Sequence, residues 1–230
     1  GCRTLREAFV DGEPRRVEYL SQMRVDPEYR GRGLVEQGFR HIRAWHEADP
    51  VPYSYATITA ENPAARKRLV DRPDGAIPPF RPLADLHTLA LVLRRWRLRR
   101  PSSPDDVTVT QNPDDLDAIA AFLREAGPDR PYFPVYRADD FETDATLGFD
   151  PKNLFVARRE GRIVGTLGLW DVSGHKQTIV RGYRGALRWT RPLLNAGLRL
   201  ASARPLPDPG APLRSVYASM VCAAPGHEDS

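Results

Sequence analysis

Residues 17–47 change their apolar periodicity once, and two glycines mark the change. Before the glycines, every second residue of an extended chain would face one side; these residues are Val17, Tyr19, Ser21, Met23 and Val25. This alternation predicts a β-strand. After Gly31 and Gly33 the apolar residues share one face of a helix; they are Leu34, Val35, Phe39, Ile42 and Trp45. The stretch therefore predicts a strand, a glycine turn and a helix, in that order.

A glycine turn at the start of a helix has a chemical use. The first N–H groups of a helix have no partner inside it, and the helix dipole adds partial positive charge at the same end. Gly31 and Gly33 have no Cβ, so an anion can approach the backbone closely. Arg30 and Arg32 add charge and fork-shaped donors. The amides of residues 31–35 therefore predict a phosphate or pyrophosphate site, with a purely structural turn as the alternative.

Residues 25–35 resemble the acetyl-CoA loop of the GNAT N-acetyltransferase superfamily, whose pattern is Arg/Gln-x-x-Gly-x-Gly/Ala. The positions of that pattern are occupied by Arg30, Gly31, Arg32, Gly33, Leu34 and Val35. Val35 departs from it, because the family has a small residue there. The resemblance implies acetyl-CoA as co-substrate, with its pyrophosphate on the amides of residues 31–35. It also implies that Met23 and Val25, in the preceding strand, pair with the pantetheine amides.

A second stretch resembles another GNAT signature, Asn-x-x-Ala, and here it is Asn62 followed by Ala65. The resemblance implies that Asn62 lines the thioester end of the cofactor. In the family a tyrosine often follows the alanine by four residues and protonates the leaving thiolate, but this chain has Leu69 there. Asn62 with Pro63 after it also predicts a helix start, because asparagine caps helices and proline suits their first position.

The main catalytic candidates are Glu18 and Tyr55. Glu18, in the strand before the turn, is a candidate base for the amine proton. Tyr55 is a candidate proton donor to the thiolate, as are Tyr29 and Tyr53 with less reason. The alternatives are an exposed strand glutamate at 18 and tyrosines that only pack.

The order of elements predicts an α/β (α+β) chain: a GNAT-like mixed, mostly antiparallel sheet flanked by helices, in two incomplete tandem units. Residues 1–100 resemble the closing half of a GNAT domain with the cofactor loop, 101–106 form a linker, and 107–230 resemble an opening half without that loop. A tandem protein truncated at both ends is expected; one circularly permuted domain is the alternative. The strand around residues 4–10 requires a neighbour, because an open apolar edge invites aggregation.

Turn residues and periodicity place the other elements. The expected strands and hairpins are a hairpin at 4–25 turning at Asp11–Gly12, strands at 53–59, 87–93, 107–110 and 215–222, and a hairpin at 153–170 turning at Glu160–Gly161. Two helices are expected. The first is capped by Asn112, begins at Pro113 and buries Leu116, Ile119, Ala120 and Leu123; the second covers 181–203 and is broken by Pro192.

Composition excludes several classes of protein. The chain has a net charge of +4 and only two cysteines, which gives no disulfide framework and no metal-ligand spacing. His41 and His46 lie five apart, so they do not share a helix face, and no metal is expected. No apolar run reaches the length of a membrane helix and no signal peptide is visible, so the prediction is a cytoplasmic protein without a membrane partner.

The predicted function is transfer of an acetyl group from acetyl-CoA to a primary amine of a small molecule or peptide. The alternative is a non-catalytic acyl-CoA-binding or regulatory module. A third hypothesis takes Arg94–Arg100, with Trp96 as a stacking platform, as a nucleic-acid patch; a solvated strand end is favoured over it, so no nucleic acid is expected. The sequence does not predict the oligomeric state or the acyl acceptor.

Overall fold

The structure is a computed structural model that describes residues 1–71, 75–91, 106–111, 114–143, 146–174, 176–201 and 203–227. Its contacts divide the chain into two compact units. Unit 1 comprises Gly1–Thr88 and Gly127–Val135, and unit 2 comprises Leu89–Ala126 and Tyr136–Ser230. Both contain a sheet and helices, which confirms a mixed α+β chain. The division at a 101–106 linker stays a prediction, and residues 101–105 lie outside the described residues.

The sheet of unit 1 has three strands, β1 (Cys2–Val10), β2 (Glu13–Ser21) and β3 (Tyr53–Ala56), in the order β1-β2-β3. β1 and β2 are antiparallel, and the turn between them has positive φ at both Asp11 and Gly12 (52° and 79°). This is the turn class whose twist matches a hairpin. The predicted hairpin is confirmed. β2 and β3 are parallel, and the chain between them forms α1 (Leu34–Ala48).

Helix α1 packs on one face of this sheet. Phe39 is 2% exposed and forms a cluster with Leu20, Leu69 and Ile77, against which Val35 and Ile42 also pack. At 100° per residue, positions 35, 39 and 42 lie close together on the helix, whereas Leu34 and Trp45 lie to one side. Leu34 and Trp45 are 39% and 46% exposed. The buried stripe is therefore narrower than the predicted one.

The opposite face of the sheet carries a second cluster, formed by Ala8, Val10 and Val17 with Tyr55 and Tyr132. Tyr132 comes from Gly127–Val135, the segment of unit 1 that is remote in sequence. That segment also pairs with the free edge of β1. The N–H of Phe9 donates to the carbonyl of Phe133 (2.9 Å), and the N–H of Tyr132 donates to the carbonyl of Phe9 (2.8 Å).

The pairing continues at the N–H of Val135, which donates to the carbonyl of Glu7 (3.1 Å). Pro134, which has no N–H, lies in an isolated bridge opposite Ala8; proline is tolerated at a sheet edge. The neighbour that the sequence required for residues 4–10 is therefore a proline-containing segment of the same unit.

Three strand predictions in the first hundred residues need correction. β2 ends at Ser21 rather than Val25, because Gln22 takes a left-handed conformation (φ 55°). β3 ends at Ala56 rather than residue 59. Residues 81–91 have no regular secondary structure, so the strand expected at 87–93 is wrong for its described part. Leu89 and Leu91 are 84% and 85% exposed there; a strand forms only where another chain segment takes its backbone hydrogen bonds.

The start of α2 (Pro63–Arg66) confirms the prediction made from Asn62. The side-chain oxygen of Asn62 accepts a hydrogen bond from the N–H of Ala65 (3.1 Å), with Pro63 at the first position of the helix. The chain then continues in one wider, π-helical turn, Lys67–Asp71.

Unit 2 has a four-stranded antiparallel sheet, in the order β4 (Val107–Gln111), β5 (Leu154–Arg159), β6 (Arg162–Trp170) and β7 (Tyr217–Ala223). The predicted hairpin is confirmed, since Glu160 and Gly161 both have positive φ (49° and 79°). Buried residues of this unit include Ile119, Leu123, Leu154, Val156 and Met220.

Helix α3 (Leu116–Glu125) is capped by Asp115, whose carboxylate accepts from the N–H of Ala118 (2.9 Å). The predicted cap, Asn112 with Pro113, is wrong in its placement, because the helix starts three residues later than expected; both residues lie outside the described residues.

Helix α4 (Leu187–Leu200) lies in the long connection between β6 and β7. The predicted break at Pro192 is wrong, because the helix continues through this residue. A proline inside a helix removes one backbone hydrogen bond and usually kinks or ends it. Other contacts therefore hold α4 in place, and they join the helix to the segment that follows it in the chain.

Candidate functional site

The start of α1 has the geometry that the two glycines predict. Gly31 and Gly33 both have left-handed backbones (φ 76° and 71°), and Gly33 is the residue that precedes the helix. Non-glycine residues adopt this conformation at a cost. A short 3₁₀ turn, Pro27–Tyr29, precedes the glycines, with Asp26 accepting from the N–H of Glu28 (3.0 Å). The loop thus delivers the chain into the helix through two positions that favour glycine.

The amides at this helix start are open. No side chain caps the helix at Gly33. Within the part of the chain that the structure describes, no N–H of residues 31–36 donates to a protein acceptor, and the first paired amide is that of Gln37, which reaches the carbonyl of Gly33 (3.0 Å). A Cβ placed on Gly31 would meet nothing within 4 Å. An anion therefore has both donors and room there.

Arg30 and Arg32 are exposed and fold back on the loop. The Nε of Arg30 donates to the carbonyl of Val25 (3.4 Å), and an amino group of Arg32 donates to the carbonyl of Glu28 (3.3 Å). The guanidinium of Arg32 also lies 5.0 Å from the centre of the Tyr29 ring. These long contacts use few of the five N–H donors that each guanidinium carries. Both side chains keep donors for an anion at the helix start.

Sequence reasoning missed one charge at this site, that of Glu36. Its carboxylate forms an ion pair with Arg68, and it is 16% exposed. One of its oxygens would lie 3.9 Å from a Cβ on Gly33. A glutamate in the first turn is favourable to a helix start, so its position in the sequence was a usable signal. It is also a negative charge that a bound diphosphate would meet, offset by Arg68.

Three residues were expected to contact the pantetheine and thioester of acetyl-CoA, and the structure places them in two different elements. Met23 and Val25 lie beyond the end of β2 at Ser21, in a segment without regular structure. The resemblance implied that Met23 and Val25 belong to a strand, and that placement is wrong. The pairing of β2 with β3 ends at Leu20 and Ala56. Asn62 lies at the start of α2, where its side-chain oxygen already caps the helix.

Glu18 is not an exposed strand glutamate, which was the alternative to its role as a base, because it is 1% exposed. Its carboxylate faces α1 and lies 3.1 Å from the Nε of Arg3 and 3.3 Å from the Nδ1 of His46. A buried carboxylate requires partners of this kind, since an unpaired buried charge is costly. The three side chains join β1, β2 and α1.

This ion group extends to the end of α1. Arg3 donates to the backbone carbonyl of Asp49 (2.8 Å), and the two amino groups of Arg16 donate to the two carboxylate oxygens of Asp49 (2.6 Å each). The hydrogen bond from Arg16 lowers the pKa of Asp49 below its ordinary value. A two-point contact fixes both partners more strictly than a single hydrogen bond.

Tyr55 lies on the other face of the sheet. Its ring stacks on Tyr19 (centres 4.9 Å apart) and contacts Tyr132 (4.6 Å), and its hydroxyl accepts a hydrogen bond from Arg6 (2.6 Å). Burial by this packing raises the pKa of Tyr132. Glu18 is paired in register with Ser54, so successive residues place Glu18 and Tyr55 on opposite faces. The structure does not bring the two catalytic candidates together.

Leu69, where the resemblance would require a tyrosine, is 8% exposed and belongs to the core cluster under α1.

The remaining sequence predictions concern nucleic acid, metal ions and membranes. Arg94–Arg100, with Trp96, lie outside the described residues. Among the described residues, no three His, Cys, Asp or Glu side chains are grouped so that they could hold a metal ion. No helix in the same residues is long and apolar enough to cross a membrane.

No protein-family model matches the chain, and the search of curated proteins found no significant match.

Proposed function

We propose that this protein is a GNAT-type N-acetyltransferase, which transfers the acetyl group of acetyl-CoA to a primary amine of a small molecule or peptide. One observation carries the proposal: the start of α1 is uncapped, follows two left-handed glycines and is flanked by Arg30 and Arg32. The resemblance of residues 25–35 to the acetyl-CoA loop supplies the cofactor. Asn62 at the start of α2 supports it as a second matching position.

In this proposal the diphosphate of acetyl-CoA accepts hydrogen bonds from the amides at residues 31–35. Each charge-assisted bond contributes about 1.5–3 kcal/mol. The thioester then extends toward the ends of β2 and β3, where their pairing stops after Leu20 and Ala56. Ligands of α/β sheets bind outside the carboxyl ends of parallel strands, which supports this direction. Holding the thioester beside the amine supplies most of what the reaction needs.

The transfer itself balances simply. The amine nitrogen, as the free base, attacks the thioester carbon, the new C–N bond forms, the C–S bond breaks, and coenzyme A leaves as a thiolate. The amine proton passes to solvent and the thiolate takes a proton from it. Glu18 is engaged with Arg3 and His46, and Tyr55 with Arg6, so the proposal relies on positioning rather than on either side chain.

The test is a calorimetric titration with acetyl-CoA, followed by release of free thiol in the presence of a panel of amines. Gly31→Ala should weaken acetyl-CoA binding by about tenfold, because the new methyl group stands where the anion approaches. Gly12→Ala is the matched control, since Gly12 has nearly the same backbone (φ 79°) and equally open surroundings in the β1–β2 turn. Equal effects of the two variants, or no binding by the unaltered protein, would refute the proposal.

A second candidate function is a non-catalytic acyl-CoA-binding module. The observation that favours it is the separation of Glu18 and Tyr55 on two faces of one sheet, with buried Leu69 in place of a tyrosine. This candidate expects the same binding and the same effect of Gly31→Ala, but no thiol release with any amine. Thiol release that depends on an amine would exclude it.

A further inference from the structure

The connection between β6 and β7 has an unusual charge pattern. Residues 172–207 contain seven Lys and Arg side chains and no Asp or Glu. The basic residues are Lys176, Arg181, Arg184, Arg188, Arg191, Arg199 and Arg204. Asp208, the next acidic residue, is paired with Arg191 (2.6 Å). Among the connections that lie mostly within the described residues, this segment, which contains α4, is the most basic.

Helix α4 exposes its apolar side. Trp189, Leu193 and Leu200 are 77%, 78% and 89% exposed, and their spacing of four and seven residues places them on one face. The other side of α4 is held by polar contacts. Asn195, 8% exposed, donates to the carbonyl of Leu206 (3.1 Å) and accepts from its N–H (2.7 Å). The apolar stripe therefore points away from the segment that supports the helix.

An arginine-lined cleft of about 410 Å³ lies beside α4. Arg181, Arg188, Arg191 and Tyr183 line it. At 100° per residue, Arg188 lies on the side of α4 that carries Asn195 rather than on the stripe, but its guanidinium is 5.2 Å from the centre of the Trp189 ring. Arg191 is held by the carbonyl of Pro207 (2.8 Å) and by Asp208. Among the described residues, no carboxylate lies within ion-pair distance of Arg181 or Arg188.

We propose that the β6–β7 connection binds the surface of an anionic phospholipid bilayer. Helix α4 lies in the plane of the bilayer, with Trp189, Leu193 and Leu200 among the upper acyl chains and the arginine side chains of the connection reaching the headgroup phosphates. Basic amphipathic helices with tryptophan and leucine on the apolar face bind membranes in this way. The inference is independent of the acetyltransferase proposal, since it uses residues of unit 2 alone.

Charge and shape favour a bilayer over an acidic protein groove. Arginines lie before the stripe, at 181, 184 and 188, and at its C-terminal end or beyond it, at 199 and 204, so positive charge is available to the headgroups at both ends of a shallow insertion. A tryptophan ring is also favoured where apolar and wet surroundings meet. The sequence predicted no membrane partner because it has no spanning run, but a helix in the interface needs none.

The first experiment is sedimentation of the whole protein with vesicles. Phosphatidylcholine vesicles should bind little, and vesicles that also contain phosphatidylglycerol should bind strongly at low salt and more weakly as salt rises. No association with the anionic vesicles would overturn the proposal, and this is also the result expected if the stripe serves an acidic protein. Binding of inorganic phosphate without binding of vesicles would overturn it as well.

Variants then separate the two parts of the surface. Leu193→Ser with Leu200→Ser should weaken vesicle binding by about tenfold or more. The matched control is Leu83→Ser with Leu86→Ser, since these leucines are similarly exposed (73% and 79%) but lie outside the connection. All four positions are exposed, so circular dichroism should show folded protein in each case. Equal loss in both pairs would contradict the proposal.

Separate measurements test the charge of the arginines and the insertion of Trp189 into the bilayer. Arg181→Gln with Arg188→Gln should lower both the affinity and its salt dependence, whereas Arg40→Gln with Arg66→Gln, which removes the same charge from unit 1, should change the affinity little. Anionic vesicles should shift tryptophan fluorescence to the blue, and Trp189→Phe should abolish the shift. A shift that persists in Trp189→Phe would refute insertion of α4.

Discussion

Helices α1 and α4 are both amphipathic, but they use their apolar faces in opposite ways. In α1, Phe39 is 2% exposed in the core of unit 1, and the groups left open are the backbone amides at the start of the helix. In α4, the buried residue is Asn195, and Trp189, Leu193 and Leu200 are exposed. Helical periodicity predicts that a helix forms, but the packing partners decide which face is covered. The first helix is held by its apolar face and the second by polar contacts.

The largest expected effect is on α1. Phe39→Ala should lower the free energy of unfolding by about 3–5 kcal/mol, because it removes a fully buried ring. Leu193→Ala in α4 should change it by less than about 0.5 kcal/mol, as exposed substitutions do. Urea denaturation of both variants checks this. Similar losses would mean that the apolar face of α4 is covered and that the comparison is wrong.

The ion pairs of the two regions should differ as well. Glu18→Gln should destabilise unit 1 by about 3 kcal/mol, because it leaves Arg3 without a countercharge in a buried position. Asp208→Asn breaks the pair with Arg191 beside α4, but Asp208 is 80% exposed. It should cost less than about 1 kcal/mol. Thermal unfolding at neutral pH would show the difference. If both substitutions destabilised the protein equally, the burial of Glu18 would not explain its contribution to stability.

Asn195→Ala tests whether polar contacts hold α4. The substitution removes both hydrogen bonds to Leu206 and should cost about 1–2 kcal/mol. Alanine is the better helix former, so a loss would not come from helix propensity. Hydrogen exchange should show faster exchange in α4 and at Leu206, with β4–β7 protected. Unchanged exchange in α4 would mean that other contacts fix the helix.

A smaller effect is expected at the open start of α1. Glu36→Gln removes a negative charge beside Gly33 and should strengthen acetyl-CoA binding by about two- to fivefold, because exposed charge pairs contribute under about 1 kcal/mol. Calorimetry measures this. The control is Glu47→Gln, near the other end of the same helix, which should leave binding unchanged. Weaker binding in Glu36→Gln would show that Glu36 orders the site rather than opposing the anion.

The smallest effect concerns pH. Arg16 lowers the pKa of Asp49 in the folded state, so this contact stabilises the fold above the ordinary carboxyl pKa of 3.8 and the stabilisation is lost as the pH falls through the lowered value. The difference in melting temperature between the unaltered protein and Asp49→Asn should therefore be present near neutral pH and shrink in acid. A difference that grows in acid would contradict the sign of the shift.

Local signals in the sequence determined the parts of the fold that depend on a few neighbouring residues. Asp11–Gly12 and Glu160–Gly161 set two hairpins, because both residues of each turn require positive φ. Gly31 and Gly33 set the start of α1, and Asn62 with Pro63 set that of α2. At the candidate site, the sequence therefore predicted the open helix start, but not the charge of Glu36 beside it.

Tertiary structure decided what each segment lies against, which no local signal carries. The burial of Glu18 required Arg3 and His46, from β1 and α1, to meet it. The free edge of β1 was filled by residues 132–135, more than a hundred positions away. Helix α4 continues through Pro192 and leaves Leu193 and Leu200 exposed, and hydrogen bonds to Leu206 hold its other side. Short-range backbone preferences fix where elements begin and turn, whereas burial and charge pairing depend on contacts between residues that are distant in the chain.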